Sequence, residues 1–230
     1  MVENFDFGSP EQRLAIQGRD ERSKINIAKL SLYQGTTEEQ EQYGDGFKRG
    51  EWLDTLAVKS LGEKVCVLFV PGLMTAQYAI WEKGKRVPTA SWDNAASVPK
   101  ELLEPSTLPD GTWVPPQAQE AISCVVCVEG QDWPYLLVFK KTSLKCFNKR
   151  IMPMEAQLAS ANQPPGMYEM SSVDDKNAAG QGYKRVTAKY VGRPTQKMLE
   201  LAKVVFSRAS KYKQAARELQ EEHVEIIDGE

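Results

Sequence analysis

The sequence predicts a mainly β (α+β) fold: an OB-like five-stranded barrel with extra N-terminal strands and a C-terminal amphipathic helix. Two observations carry this. Residues 76–191 run strand, strand, strand, helix, strand, strand, and an OB barrel keeps its helix between the third and fourth strands. A proline-rich excursion also falls between the first two of these strands, a connection that commonly contributes to ligand binding in this fold. At 230 residues with 41% hydrophobic and 26% charged content, the chain can bury a core without disulfides or metals.

In chain order, KINIAKLSLYQG (24–35) alternates apolar and polar residues with one slip, the mark of a bulged strand. TTEEQEQY follows as a short acidic turn that Thr37 can cap, and GDGFKRGEWLDT reads as a turn entering a short strand. KVCVLFVP (64–71) and AQYAIWEKG (76–84) are two strands joined by Gly-Leu-Met. Residues 87–117 hold six of the 13 prolines and no apolar period. They predict an irregular excursion, which Trp92 and Trp113 pack onto the domain rather than offer to a ligand.

EAISCVVCV (120–128) and PYLLVFKK (134–141) flank EGQDW as a hairpin. Thr142 or Ser143 then caps a helix running to about Ala159, kinked by Pro153. GMYEMSSV (166–173) and GYKRVTAKYVG (182–192) form a second hairpin around DDKNAAGQ. An amphipathic helix beginning at Pro194 places Met198, Leu201, Val205, Tyr212 and Leu219 at helical spacing. The predicted organisation is one domain over residues 1–213, with 87–117 as an insertion and 214–230 as an acidic C-terminal segment.

Several chemistries lack their residues. Cys124 and Cys127 form a C-x-x-C with two valines between them, and strand positions three apart face opposite sides. His223 is the one histidine and lies in the acidic C-terminal segment, so no Ser-His-Asp or Cys-His arrangement is expected. Neither phosphate-binding glycine motif is present. No catalytic residue, metal or cofactor is therefore expected. MVENFDFGSPEQR lacks a signal pattern and VCVLFV is too short to span a bilayer, so the expected location is cytoplasmic, with no membrane partner.

Charge is distributed unevenly. Residues 1–137 carry 13 Lys+Arg and 20 Asp+Glu, residues 138–213 carry 15 and 5, and residues 214–230 carry 1 and 6. A +10 block before an acidic ending suggests a polyanion partner, set against the plainer reading of solubilising lysines. Single-strand binding needs cations on phosphates and flat rings under bases. The candidate phosphate contacts are Lys140, Lys141, Lys145, Lys149, Arg150, Lys184, Arg185 and Lys189. Tyr183 and Trp81 are the candidate stacking rings, because alternation assigns Phe139 and Tyr190 to the core.

INIAKLSLYQGTTEEQ, GEWLDTLAVKSLGEKVCVLFV, YAIWEKG, YLLVFKKTSLK and KRVTAKYVG before a closing helix together resemble a family of bacteriophage proteins over residues 24–208. These are encoded near replication and recombination genes and described as single-stranded-DNA-binding. The resemblance implies a non-enzymatic protein that binds single-stranded DNA in the host cell, with the insertion at 87–117 and the tail after about 213 expected to depart from the family. The acidic ending EEHVEIIDGE, like the tails of single-strand-binding proteins, is a candidate recruiter of replication or recombination proteins, set against a plain charged terminus. A homo-oligomer is compatible with the sequence. A competing reading is a protein-interaction module, such as a recombination mediator or an inhibitor of a host nuclease, using the basic face on an acidic partner. A metal-dependent nuclease built on carboxylates is a third.

Overall fold

The computed structural model describes residues 16–17, 28–80, 89–107, 109, 111–177 and 180–209. Trp81 and the acidic segment 214–230 lie outside them. The N-terminal elements are short: β1 (Ile16–Gln17), β2 (Leu30–Leu32), α1 (Thr37–Tyr43), β3 (Trp52–Asp54) and β4 (Lys59–Gly62). The cap of α1 falls one residue before the expected Thr37. Thr36 Oγ1 accepts from the Glu39 N–H at 3.3 Å, and the Glu39 carboxylate accepts from the Thr36 N–H at 3.2 Å, a reciprocal capping box.

The two strands expected at 64–71 and 76–84 are one, β5 (Val65–Ile80). Pro71 and Gly72 do not end it, because the chain bulges there. Five steps of β5, from Phe69 to Met74, lie opposite two of its neighbour, from Val126 to Cys124. Gly72 takes a positive φ of 70° at the bulge, which tolerates both a proline and a glycine inside a sheet. The excursion that follows holds β6 (Ala90–Trp92), a 3-10 turn (Ala95–Ser97), α2 (Lys100–Leu103), β7 (Ser106–Thr107) and β8 (Trp113–Val114). The packing expected of Trp113 does not occur: it is 63% exposed.

Next come β9 (Gln119–Val128), β10 (Pro134–Lys140), α3 (Thr142–Cys146), a π-helical turn (Phe147–Ile151) and α4 (Met152–Ser160). Neither Thr142 nor Ser143 caps α3. Ser143 instead reaches back to Lys140, donating to its carbonyl at 2.7 Å and accepting from its N–H at 2.9 Å. Pro153 sits in the first turn of α4, directly after the π turn. The missing proline N–H and the ring's bulk are absorbed by that wider turn, so the helix continues. The chain then forms β11 (Met167–Lys176), β12 (Gly182–Gly192) and the helix α5 over residues 196–209.

The fold is mainly β and antiparallel, with few helices. The main sheet runs β10-β9-β5-β11-β12, and β1 and β6 add to the far end of β5. Both faces of β5 and β9 are buried, so their apolar runs are nearly continuous. Val67, Phe69, Cys124, Val126, Tyr135, Phe139, Phe147 and Tyr168 enter one core. Leu68, Val70, Val125 and Cys127 enter a second, beneath Met198, Leu199 and Ala202 of α5. Cys124 and Cys127 thus fall in different cores, and burial pushes the Cys127 thiol up to about 12.

Among the described residues β10 and β12 do not pair, so the expected barrel stays unclosed by hydrogen bonds. Other elements occupy the gap. The residues 142–151 pack against β12. The β2-β3-β4 sheet contributes Ala28, Leu30, Leu32 and Trp52 to the first core. It touches both edges: the Ala28 carbonyl accepts from the Leu136 N–H, and the Gln34 amide brackets the Lys184 backbone.

Candidate nucleic-acid interface

The residues 138–154 contain five cations and no carboxylate. Their placement follows from how strand passes into helix. β10 buries Tyr135, Leu137 and Phe139 and ends on exposed Lys140. Lys141 turns the chain with φ +52°, a conformation L-residues rarely adopt. The helix then buries Cys146, Phe147 and Ile151 and leaves Lys145, Lys149 and Arg150 in solvent. None of the ion pairs among the described residues involves Lys141, Lys145, Lys149 or Arg150.

Like charges crowd at the junction. Desolvation, then the ammonium groups of Lys141 and Lys29, hold the Lys140 pKa below the usual lysine value. A cation in that position gains from any anion that arrives, because the anion offsets both effects.

The β11–β12 hairpin is different. Its register sets Glu169 opposite Lys189 and Asp174 opposite Lys184. Lys184 Nζ lies 3.0 Å from Asp174, and Arg185 Nε lies 2.7 Å from Asp175. The Tyr183 hydroxyl donates to the same Asp175 carboxylate at 3.2 Å. The Lys176 backbone N–H, then Arg185 and Tyr183, hold that carboxyl below the usual carboxylate range. Glu169 forms its ion pair with Lys64, at 3.2 Å.

Lys184 is the most constrained of the sequence-predicted cations, its side chain only 20% exposed. Its N–H donates to Gln34 Oε1 at 2.8 Å and its carbonyl accepts from Gln34 Nε2 at 2.9 Å, so a side-chain amide replaces a neighbouring strand. Its stem lies against Gly50 (φ +99°), where an added Cβ would come within 3.0 Å of Ser172 Oγ and 3.3 Å of Lys184 Cε. Only glycine fits that approach.

Arg185 is the hairpin residue closest in effect to the helix. Burial raises the Cys146 thiol pKa, while the Ala188 backbone, Arg150 and Arg185 oppose that. Both guanidinium groups therefore act on one sulfur. The structure brings Lys140, Lys141, Lys145, Lys149 and Arg150 together as exposed cations, with Arg185 at their margin. Lys184 and Lys189 each stand opposite a carboxylate, and the Tyr183 hydroxyl is engaged with another. Trp81 lies outside the described residues.

Two surface residues escape the sequence reading. Lys29 occupies a polar position in the alternation of KINIAKLSL and lies exposed beside β10. Trp133 lies in the turn EGQDW, where no period marks it, and is 45% exposed.

Among the described residues no three His, Cys, Asp or Glu converge as a metal site, and no helix is long and apolar enough to cross a membrane. No curated protein and no solved structure matches the chain. A family model described as Pam3 phage gp34-like protein matches residues 11–215. That match takes in both hairpins, the helix junction and all the described helices, and the chain belongs to the Pam3 phage gp34-like family.

Proposed function

We propose that this phage protein binds single-stranded DNA, without catalysis, during phage DNA replication or recombination in the host cell. The observation that carries the reading is the helix junction. Five exposed cations follow one another there without a carboxylate, and Lys140 is crowded by Lys141 and Lys29. Such an array attracts a chain of phosphates rather than a single carboxylate.

The strand order supports an OB-like assignment. Counting from β5, the sheet runs third, second, first, fourth, fifth, with the helix between third and fourth. Joining β10 to β12 would close this order into a five-stranded Greek-key barrel.

Fluorescence anisotropy of labelled oligo-dT against a duplex of equal length, at two salt concentrations, tests the proposal. Oligo-dT is expected to bind more tightly, with a log–log salt slope of about −0.7 per phosphate neutralised. No binding in low salt, or binding indifferent to salt, sinks it. Capture of one stoichiometric protein partner that oligonucleotide cannot displace would instead establish the protein-interaction reading.

A further inference from the structure

Lys29 and Trp133, both exposed, are joined by an unbroken series of contacts through buried Asp54 and Tyr135. The Lys29 N–H donates to Thr55 Oγ1 at 3.1 Å, and its carbonyl accepts from the Thr55 N–H at 3.0 Å. Asp54, the neighbour of Thr55, is buried and accepts from the Tyr135 hydroxyl at 2.9 Å. The other Asp54 oxygen caps the N–H groups of Leu56 and Ala57, both at 2.9 Å. The Tyr135 ring lies 6.3 Å from the Trp133 ring at a tilt of 44°. Asp132, beside Trp133, is neutralised by Lys197 at 2.6 Å.

This bracing matters for an exposed indole. Free, it would sample several rotamers and lose entropy on binding. Held against Tyr135, itself anchored by a buried carboxylate, it presents a ring that is already ordered. Lys29 bridges to Leu136, the third residue of β10, midway between Trp133 and the junction. The seven residue steps from Trp133 to Lys140 span about 23 Å at ~3.3 Å each.

We infer that the nucleic-acid track continues from the helix junction along the edge of β10, past Lys29 as a phosphate contact, to Trp133 as a base-stacking platform. The inference rests on the single-strand-binding reading and assigns that reading two residues it did not contain. The Asp54–Tyr135 pair acts as a positioning device, because it orients the ring without touching the ligand.

The test uses the full chain and fluorescein-labelled oligo-dT in low salt, with melting curves for every variant. Trp133→Leu is expected to weaken binding about tenfold, whereas Trp133→Phe keeps a flat ring and stays near wild type. Lys29→Glu is expected to weaken binding and to flatten the salt slope by about 0.7. Tryptophan emission quenched by oligonucleotide in the wild type should be reduced in Trp133→Phe, a readout that a structural role would not move. Should Trp133→Leu melt early, that quenching difference decides alone, and unchanged quenching overturns the inference. Wild-type affinity in both Trp133→Leu and Lys29→Glu, with Lys145→Glu/Lys149→Glu weakened, also overturns the inference and leaves single-strand binding standing. A wild type that does not bind overturns the underlying reading and the track with it.

Discussion

The helix junction at 140–150 and the hairpin cations at 184–189 look alike in composition, and the structure separates them. At the junction, Lys145, Lys149 and Arg150 project from a helix whose other side is buried, and none has an acidic partner among the described residues. In the hairpin, the opposing strand supplies Glu169, Asp174 and Asp175, so Lys184, Arg185 and Lys189 face charges already present. A phosphate reaching Lys184 or Arg185 must displace a carboxylate already paired there. A phosphate reaching Lys145, Lys149 or Arg150 meets no paired carboxylate among the described residues. Equal counts of lysine and arginine therefore do not mean equal affinity for an anion.

That difference can be broken most severely at the junction. Reversing Lys145, Lys149 and Arg150 together to glutamate is expected to weaken oligo-dT binding by at least about a hundredfold and to flatten the salt slope by about 2. The melting temperature should change little, since all three side chains are exposed. Anisotropy across a salt series, beside a thermal melt, checks both. A loss no greater than that of Lys189→Glu would erase the distinction between the regions.

The converse experiment releases the hairpin. Asp174→Asn with Asp175→Asn leaves Lys184 and Arg185 without their partners, and oligo-dT affinity is expected to rise about three- to tenfold. The stability change should be small, because both carboxylates are reached by solvent. Unchanged affinity on anisotropy would show that the hairpin lies off the ligand's path.

A smaller effect should appear at alkaline pH. Lys140 holds its proton less tightly than an ordinary lysine. A bound phosphate raises that pKa, so affinity falls as pH rises through the free protein's lowered value. Lys140→Arg, which stays charged, should flatten this decline in a pH series of titrations.

The smallest expected effect concerns acid. The Asp175 carboxyl is depressed in the fold, so its contribution is complete above the ordinary aspartate range near 3.8 and is lost as pH falls through the lower folded value. The melting difference between wild type and Asp175→Asn should therefore shrink over that window. A difference that persists at the lowest pH would assign the stabilisation to something other than the ionised carboxylate.

The hairpins and their inward residues were legible because strand alternation has a period of two. It assigned Phe139 to the core and sent Cys124 and Cys127 to opposite sides, where they lie. The single long β5 was not legible, since Pro71 and Gly72 mark a chain break unless a bulge accommodates them. The cap of α1 at Thr36 rather than Thr37 is a one-residue ambiguity within Thr-Thr. Trp113 was expected to pack and does not. Trp133 carried no signal, because aromatic residues in turns have no periodic partner to reveal which side they face.

By itself the sequence determined the strands of the two hairpins, which of their faces are apolar, and that cations outnumber acids over residues 138–213. Those properties belong to neighbours along the chain. Tertiary structure alone decided which cations stay uncompensated. Asp174 meets Lys184 across ten residues through strand register, and Gln34 meets the same lysine across 150. Lys29 and Lys140 come within electrostatic reach only because β2 runs onto the edge of β10. Coulomb interactions depend on distance in space, and the fold sets that distance.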